Sequence, residues 1–145
     1  ELDIDVWPRL CDFWLAHPDE TPLFPYLLSY EGEGRSERVL RQIEADLPRY
    51  CVEQNDLLVP LRYLNTHPGQ SDAIICAALE SIFDLPRGIA CGIIDDWGQE
   101  FITPAIRRSL IKARQLSNND VVTARIDCLL AGKHFDIGKF LNKRK

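Results

Sequence analysis

Histidine and cysteine are the residue types that most often carry catalysis or bind metals, and this chain has 3 of the first and 5 of the second. His17 and His67 each precede a proline at a predicted helix end, where an imidazole can bond the last carbonyls of the helix. No H-x-x-x-H or H-E-x-x-H spacing occurs, so the sequence predicts no metal site. Cys11 and His17 lie on different faces of one predicted helix, which disfavours a thiol–imidazole pair.

The cysteines are scattered, odd in number and never in a C-x-x-C arrangement. This usage is typical of reduced thiols, mostly in the core, and we expect a cytoplasmic protein. The acidic start lacks the plan of a secretory signal, and no apolar run approaches the ~20 residues of a membrane span. No Gly-rich loop follows a strand, so we predict no cofactor and no catalytic residue.

A group of acidic residues surrounds a tryptophan near the middle of the chain. Asp95 and Asp96 directly precede Trp97 at a predicted helix end, and Glu100 follows closely. Negative charge at a helix C-terminus opposes the macrodipole by about 0.3–1 kcal/mol, so we expect compensation. Arg107 and Arg108 are the obvious intramolecular candidates. The alternative is a recognition patch in which Trp97 is an aromatic anchor beside charge, as in binding hot spots.

Charge is divided unevenly along the chain. Residues 1–100 carry 7 Arg and no Lys against 19 Asp plus Glu, a net of −12, whereas residues 101–145 carry 10 Lys plus Arg against 3 Asp, a net of +7. Arg107, Arg108 and Lys112 share one side of a predicted helix. These cations form a solvated face balanced by the acidic body, or they bind phosphates. The acidic body would repel a polyanion, which disfavours nucleic acid.

Apolar residues recur with a period of 3.6 rather than 2, which predicts an all-α chain of about eight short helices. Proline and capping residues separate the helices. We expect α-helix at Val6 to Trp14, Leu23 to Tyr30, Ser36 to Leu47, Asp56 to Asn65, Ser71 to Phe83, Pro86 to Trp97, Thr103 to Ala113, Asn119 to Leu130 and Ile137 to Leu141. On the sixth of these, Gly88 and Gly92 each cost about 1 kcal/mol against Ala, and close approach of another backbone would justify them.

The stretch LLVPLRYLNTHPGQSDAIICAALESIFDLP resembles a HEAT-type repeat, an antiparallel helix pair whose turn is followed by a helix of small and aliphatic residues. The likeness extends over roughly residues 57–131, and an aromatic-Leu followed by His-Pro recurs about 50 residues apart. This resemblance to HEAT and armadillo repeats implies a short α-solenoid with one shared core. The alternative is a compact orthogonal helical bundle.

These observations predict a single all-α domain over residues 1–145 with a basic C-terminal end at 133–145. We expect a non-enzymatic module that binds a basic partner protein, such as an inhibitor or immunity protein for a cationic toxin or nuclease. Self-association into a homo-oligomer is a further option. The alternatives are an enzyme whose site converges from distant helices and a nucleic-acid-binding module that uses the basic end. The predicted partner-binding residues are Asp95, Asp96, Trp97, Glu100, Arg107, Arg108 and Lys112.

Overall fold

The computed structural model describes residues 6–18, 24–29 and 34–145. All regular secondary structure in these ranges is helical, which confirms the predicted all-α class. None of these helices is both long enough and apolar enough to cross a lipid bilayer. The α-helices are α1 (Val6–Ala16), α2 (Arg35–Ala45), α3 (Leu58–Asn65), α4 (Asp72–Leu79), α5 (Asp84–Trp97), α6 (Pro104–Leu116), α7 (Asp120–Leu130) and α8 (Ile137–Asn142), and three 3₁₀ helices lie at Phe24–Ser29, Leu47–Tyr50 and Gln99–Phe101.

Side-chain caps fix the starts of three helices where the sequence predicts them. The Ser71 hydroxyl accepts from the backbone N–H of Ile74 at 3.2 Å and opens α4. Thr103 caps α6 in the same way, and Asn119 caps α7 by accepting two backbone N–H groups. Because these caps satisfy N–H groups that have no partner within the helix, the local sequence alone sets these boundaries.

The predicted end of α4 is wrong. The helix ends at Leu79 rather than Phe83, and Ile82 is 82% exposed. Just past the end of the helix, the buried Arg87 donates hydrogen bonds to the Ser81 carbonyl and the Ser117 hydroxyl. These bonds hold the α4–α5 turn against the α6–α7 turn.

Other expectations fail for local reasons. Ser36 lies inside α2, whose N-cap is Gly34 at φ +76°. Where a helix of Leu23 to Tyr30 was expected, the structure has a 3₁₀ helix over Phe24–Ser29. Leu23 and Tyr30 lie outside the described residues.

The helices from α2 to α7 form two rows. The even row is α2, α4 and α6, and the odd row is α3, α5 and α7; neighbours within each row are in contact. Across the rows α4 packs on α5 and α6 packs on α7. Both rows contribute to the core, whose largest fully buried side chains are Phe24, Leu40, Ile43, Leu61, Leu64, Ile74, Ile75, Leu79, Ile94, Ile106, Leu110 and Ile126.

Several contacts between neighbouring helices of a row join residues 32 to 34 apart in sequence, whereas those between α2 and the start of α4 join residues 27 and 29 apart. The former pairs are Leu64 with Trp97, Glu80 with Lys112, Gly88 with Val122 and Gly92 with Arg125. The last two pairs advance together along α5 and α7, so these two helices are parallel. The separation is shorter than the 48 to 50 residues of the weak sequence repeat.

The two glycines of α5 face α7. A Cβ at Gly88 would lie 3.7 Å from Val122 Cγ2, and a Cβ at Gly92 would lie 3.3 Å from Arg125 Nη1. The sequence suggested that another backbone lies close to these glycines. The close neighbours are instead side chains of α7. A distance of 3.7 Å is an ordinary van der Waals contact, whereas 3.3 Å requires the neighbour to move.

We predict opposite tolerance at these two positions. Gly88→Ala should raise the free energy of unfolding by about 1 kcal/mol, because alanine favours helix and has room. Gly92→Ala should gain less or lose stability, because the methyl group displaces the Arg125 guanidinium. Urea unfolding of both variants measures the difference, and equal gains would contradict the packing of α7 on α5.

Candidate functional site

An open groove of about 400 Å³ lies on the odd row between α3 and α5. Its sides come from one face of each helix. We call it the α3–α5 groove, and its lining residues are Leu58, Leu61, Arg62 and Asn65 from α3 and Ile89, Gly92, Ile93 and Asp96 from α5. Leu61 and Ile93 are buried beneath the groove, and Leu58 and Ile89 are the half-buried apolar side chains of its floor. The three polar residues Arg62, Asn65 and Asp96 are exposed.

One hydrogen bond sets how the two helices of the groove lie against each other. The Trp97 indole Nε1–H donates to the Leu64 carbonyl at 2.8 Å, so the C-terminal ends of α3 and α5 are adjacent. Asn65 and Asp96 therefore lie at one end of the groove, and Leu58 and Ile89 lie toward the other. The negative ends of two helix dipoles add to the Asp96 carboxylate at this end, and the exposed Arg62 places one positive charge in the same groove.

The first acidic residue of the predicted patch faces away from the groove. The Asp95 side chain is 8% exposed, and its carboxylate accepts from His134 Nδ1 at 2.9 Å and lies 3.9 Å from Arg125 Nε. The compensation expected from Arg107 or Arg108 comes instead from α7 and the segment after it. Arg107 donates to the Leu130 carbonyl at 3.2 Å.

The aromatic residue of the predicted patch belongs to the core. Trp97 is 6% exposed, and its ring lies edge-on to Phe101 with centroids 5.9 Å apart. A ring this buried cannot anchor a partner without unpacking α3 from α5. Asp96 and Glu100 are exposed, and they are the carboxylates of the patch that solvent reaches.

The predicted basic residues of α6 are only partly available. Lys112 Nζ lies 2.7 Å from Glu80, and the Ser109 hydroxyl donates to the same carboxylate at 2.9 Å. The hydrogen bond from Lys112 holds the pKa of Glu80 below its ordinary value. Arg108 is exposed on α6, so Lys112 and Arg108 differ in their access to a partner.

Further cations are paired across helices with acids of the same chain. Arg114 bonds Asp127 at 2.6 Å, and Arg144 pairs with Asp120. These pairs link α6 to α7 and α8 to α7. Part of the positive charge of residues 101–145 is thus neutralised by carboxylates of the same chain.

Arg125 is a residue that the sequence pattern does not identify. Its guanidinium carbon lies 5.1 Å from the Phe135 ring centroid, its Nη1 lies over Gly92, and its Nε is buried without a hydrogen bond among the described residues. The groove residues Arg62 and Asn65 were also missed. A signal was present only for the floor, since Ile89 and Ile93 recur at helical spacing on α5.

Four of the five thiols have a pKa above the ordinary value, so these four are protonated at neutral pH. Burial raises the pKa of Cys11, Cys51 and Cys76, and it raises that of Cys91 to about 12. A thiolate nucleophile needs the opposite shift. In the part of the chain that the structure describes, no three His, Cys, Asp or Glu side chains are placed to hold a metal ion.

No protein-family model, no curated protein and no solved structure matches the chain. Its function therefore has to follow from the groove and from the charges around it.

We predict that Trp97→Phe lowers the free energy of unfolding by about 1–3 kcal/mol, because it removes the bond to Leu64 and part of a buried ring. Ile82→Ala is the control, since that side chain is exposed and should change stability little. Urea unfolding measures both. An unchanged stability for Trp97→Phe would mean that the tryptophan does not join α3 to α5.

We also predict that Cys91 resists iodoacetamide in the native protein at pH 8. With a pKa of about 12, only roughly one thiol in ten thousand is ionised there, and the side chain is buried. Labelling should become complete in denaturant. Peptide mass spectrometry resolves the site, and rapid native labelling of Cys91 would revive the thiol-enzyme interpretation.

Proposed function

We propose that this chain is a non-enzymatic protein-binding module that recognises a basic segment of a partner at the acidic end of the α3–α5 groove. The observation that carries the proposal is the arrangement of the groove, in which an apolar floor ends at the exposed carboxylate of Asp96. Glu100 lies just beyond the same helix end. Apolar side chains of a partner would pack on Leu58 and Ile89, and a cation would pair with Asp96.

The charge of the chain supports a basic partner. Residues 1–100 have a net charge of −12, and the negative ends of α3 and α5 reinforce Asp96 at the polar end of the groove. Such a surface attracts cations over roughly a Debye length and speeds the encounter. Complementary charge then selects among partners more than it tightens binding.

Two alternatives have less support. An enzyme would need a nucleophile with a neighbouring base, and burial raises the pKa of four of the five thiols, which disfavours the cysteine chemistry considered above. A nucleic-acid module would use the basic end, where Arg144 faces Asp120 but no salt bridge is found for Lys133, Lys139, Lys143 and Lys145 among the described residues. The net charge of −12 over residues 1–100 would repel a polyanion, and this favours a protein partner.

The two rows also support a short HEAT-like solenoid over an orthogonal bundle, which we propose as the architecture. Successive helices within each row are in contact, as stacked helix pairs require. The contacts within the rows join residues 27 to 34 apart, which is shorter than the 40–47 residues of HEAT units, so the resemblance lies in how the helices stack. Within this proposal, a cationic toxin or nuclease that the domain inhibits is one partner class; only the acidic charge supports it.

The test is affinity capture from host lysate with quantitative mass spectrometry. Wild-type protein is compared with Asp96→Lys, which reverses the groove charge, and with Glu53→Lys, which makes the same change at an exposed site outside the groove. We expect a basic protein that Asp96→Lys loses by about tenfold or more and that Glu53→Lys retains. Equal capture by both variants would contradict the groove as the recognition surface.

A further inference from the structure

The α3–α5 groove carries one positive and one negative side chain at the same end. The bond from the Trp97 indole to the Leu64 carbonyl, 33 residues earlier, places the C-terminal ends of α3 and α5 side by side. Arg62 on α3 and Asp96 on α5 therefore stand at this end, on opposite walls of the groove. Both side chains are exposed, and no salt bridge or hydrogen bond is found for either among the described residues. Both charges of the groove are thus open to a partner.

The two helix ends differ in how they accommodate these charges. Arg62 lies in the last turn of α3, where a positive charge is favoured, whereas Asp96 lies in the last turn of α5, where a negative charge opposes the helix dipole. The neighbouring Asp95 has Arg125 and His134 beside it. Asp96 has no such cation among the residues that the structure describes. A cation supplied by a partner would relieve this unfavourable charge.

We propose that the groove recognises a partner segment that carries a carboxylate as well as a cation. The inference rests on the proposed function, and it names the chemistry of the segment that the groove binds. The cation of the segment pairs with Asp96 on the α5 wall, and its carboxylate pairs with Arg62 on the α3 wall. An apolar side chain of the same segment packs on Leu58 and Ile89, which are half-buried farther along the groove.

A uniformly basic segment fits this arrangement less well. Cations on both sides of such a segment would bring one of them against the Arg62 guanidinium, and like charges at an interface are unfavourable. The net charge of −12 over residues 1–100 attracts basic proteins in general. Arg62 then discriminates among them, because it penalises a second cation and favours a carboxylate.

Selection from a display library of random linear peptides on the immobilised full chain tests the inference. Enriched peptides are synthesised, and fluorescence anisotropy measures their affinity for wild type and variants. We expect enriched peptides to combine an apolar residue, a lysine or arginine, and an aspartate or glutamate. Arg62→Glu and Asp96→Lys should each bind them about tenfold or more weakly than wild type. Arg9→Glu and Glu53→Lys make the same changes at exposed sites outside the groove and should bind like wild type.

An exchange of charges identifies the group that meets Arg62. Lysine in place of the carboxylate of an enriched peptide should weaken its binding to wild type about tenfold, and the altered peptide should recover its affinity on Arg62→Glu. Absence of recovery overturns the inference, because the carboxylate would then not lie against Arg62. Enriched peptides that are uniformly basic, or that bind Arg62→Glu more tightly than wild type, overturn it as well.

These outcomes separate the inference from the proposed function. If the enriched peptides are uniformly basic and Asp96→Lys loses them, the groove still binds a basic segment and only the mixed charge of that segment is wrong. If Asp96→Lys weakens none of the enriched peptides, the groove is not the recognition surface and both fail together.

Discussion

Parallel packing of α3, α5 and α7 is the constraint on which the rest of this molecule depends. The Trp97 indole bonds the carbonyl of Leu64, and two α7 side chains lie over Gly88 and Gly92. These contacts align the helices at an offset of 33 to 34 residues. The alignment brings helix C-termini together at one edge, and the α3–α5 groove stays open to solvent.

The same alignment decides which charges solvent reaches. Asp95 points toward α7, where it faces Arg125 and is hydrogen-bonded to His134, while Asp96, one residue later, points into the groove. The helical rotation of about 100° per residue thus divides two adjacent carboxylates between a structural and a surface role. In the basic third, similar pairing occupies Lys112, Arg114 and Arg144. The uneven charge along the chain is therefore partly cancelled between helices, while Asp96 and Glu100 stay exposed.

The sequence was sufficient for the helices that begin with a capping residue. Ser71, Thr103 and Asn119 act within their own first turn, so no knowledge of the fold is needed to place α4, α6 and α7. The end of α4 could not be predicted in this way, and the turn beyond it is held by Arg87 and Ser117, which are thirty residues apart.

The candidate site shows the same limit. Apolar spacing on α5 identifies a face but does not say whether another helix covers it. The burial of Trp97 depends on α3, and the partners of Asp95 come from residues thirty or more positions away. Local pattern thus identified Asp96 and Glu100 as members of an acidic group, and only the packing of helices distinguishes them from Asp95 and Trp97.

The register of α5 against α7 can be measured directly by disulfide cross-linking. Paired cysteines at positions 88 and 122 should oxidise readily, because a Cβ at Gly88 lies 3.7 Å from the side chain of Val122. Cysteines at 92 and 122 should not, since they are about one helical turn out of register. Peptide mass spectrometry identifies the linked pair. Efficient linkage of 88 with 122 alone is the result this account predicts, and preferential linkage of 92 with 122 would contradict it.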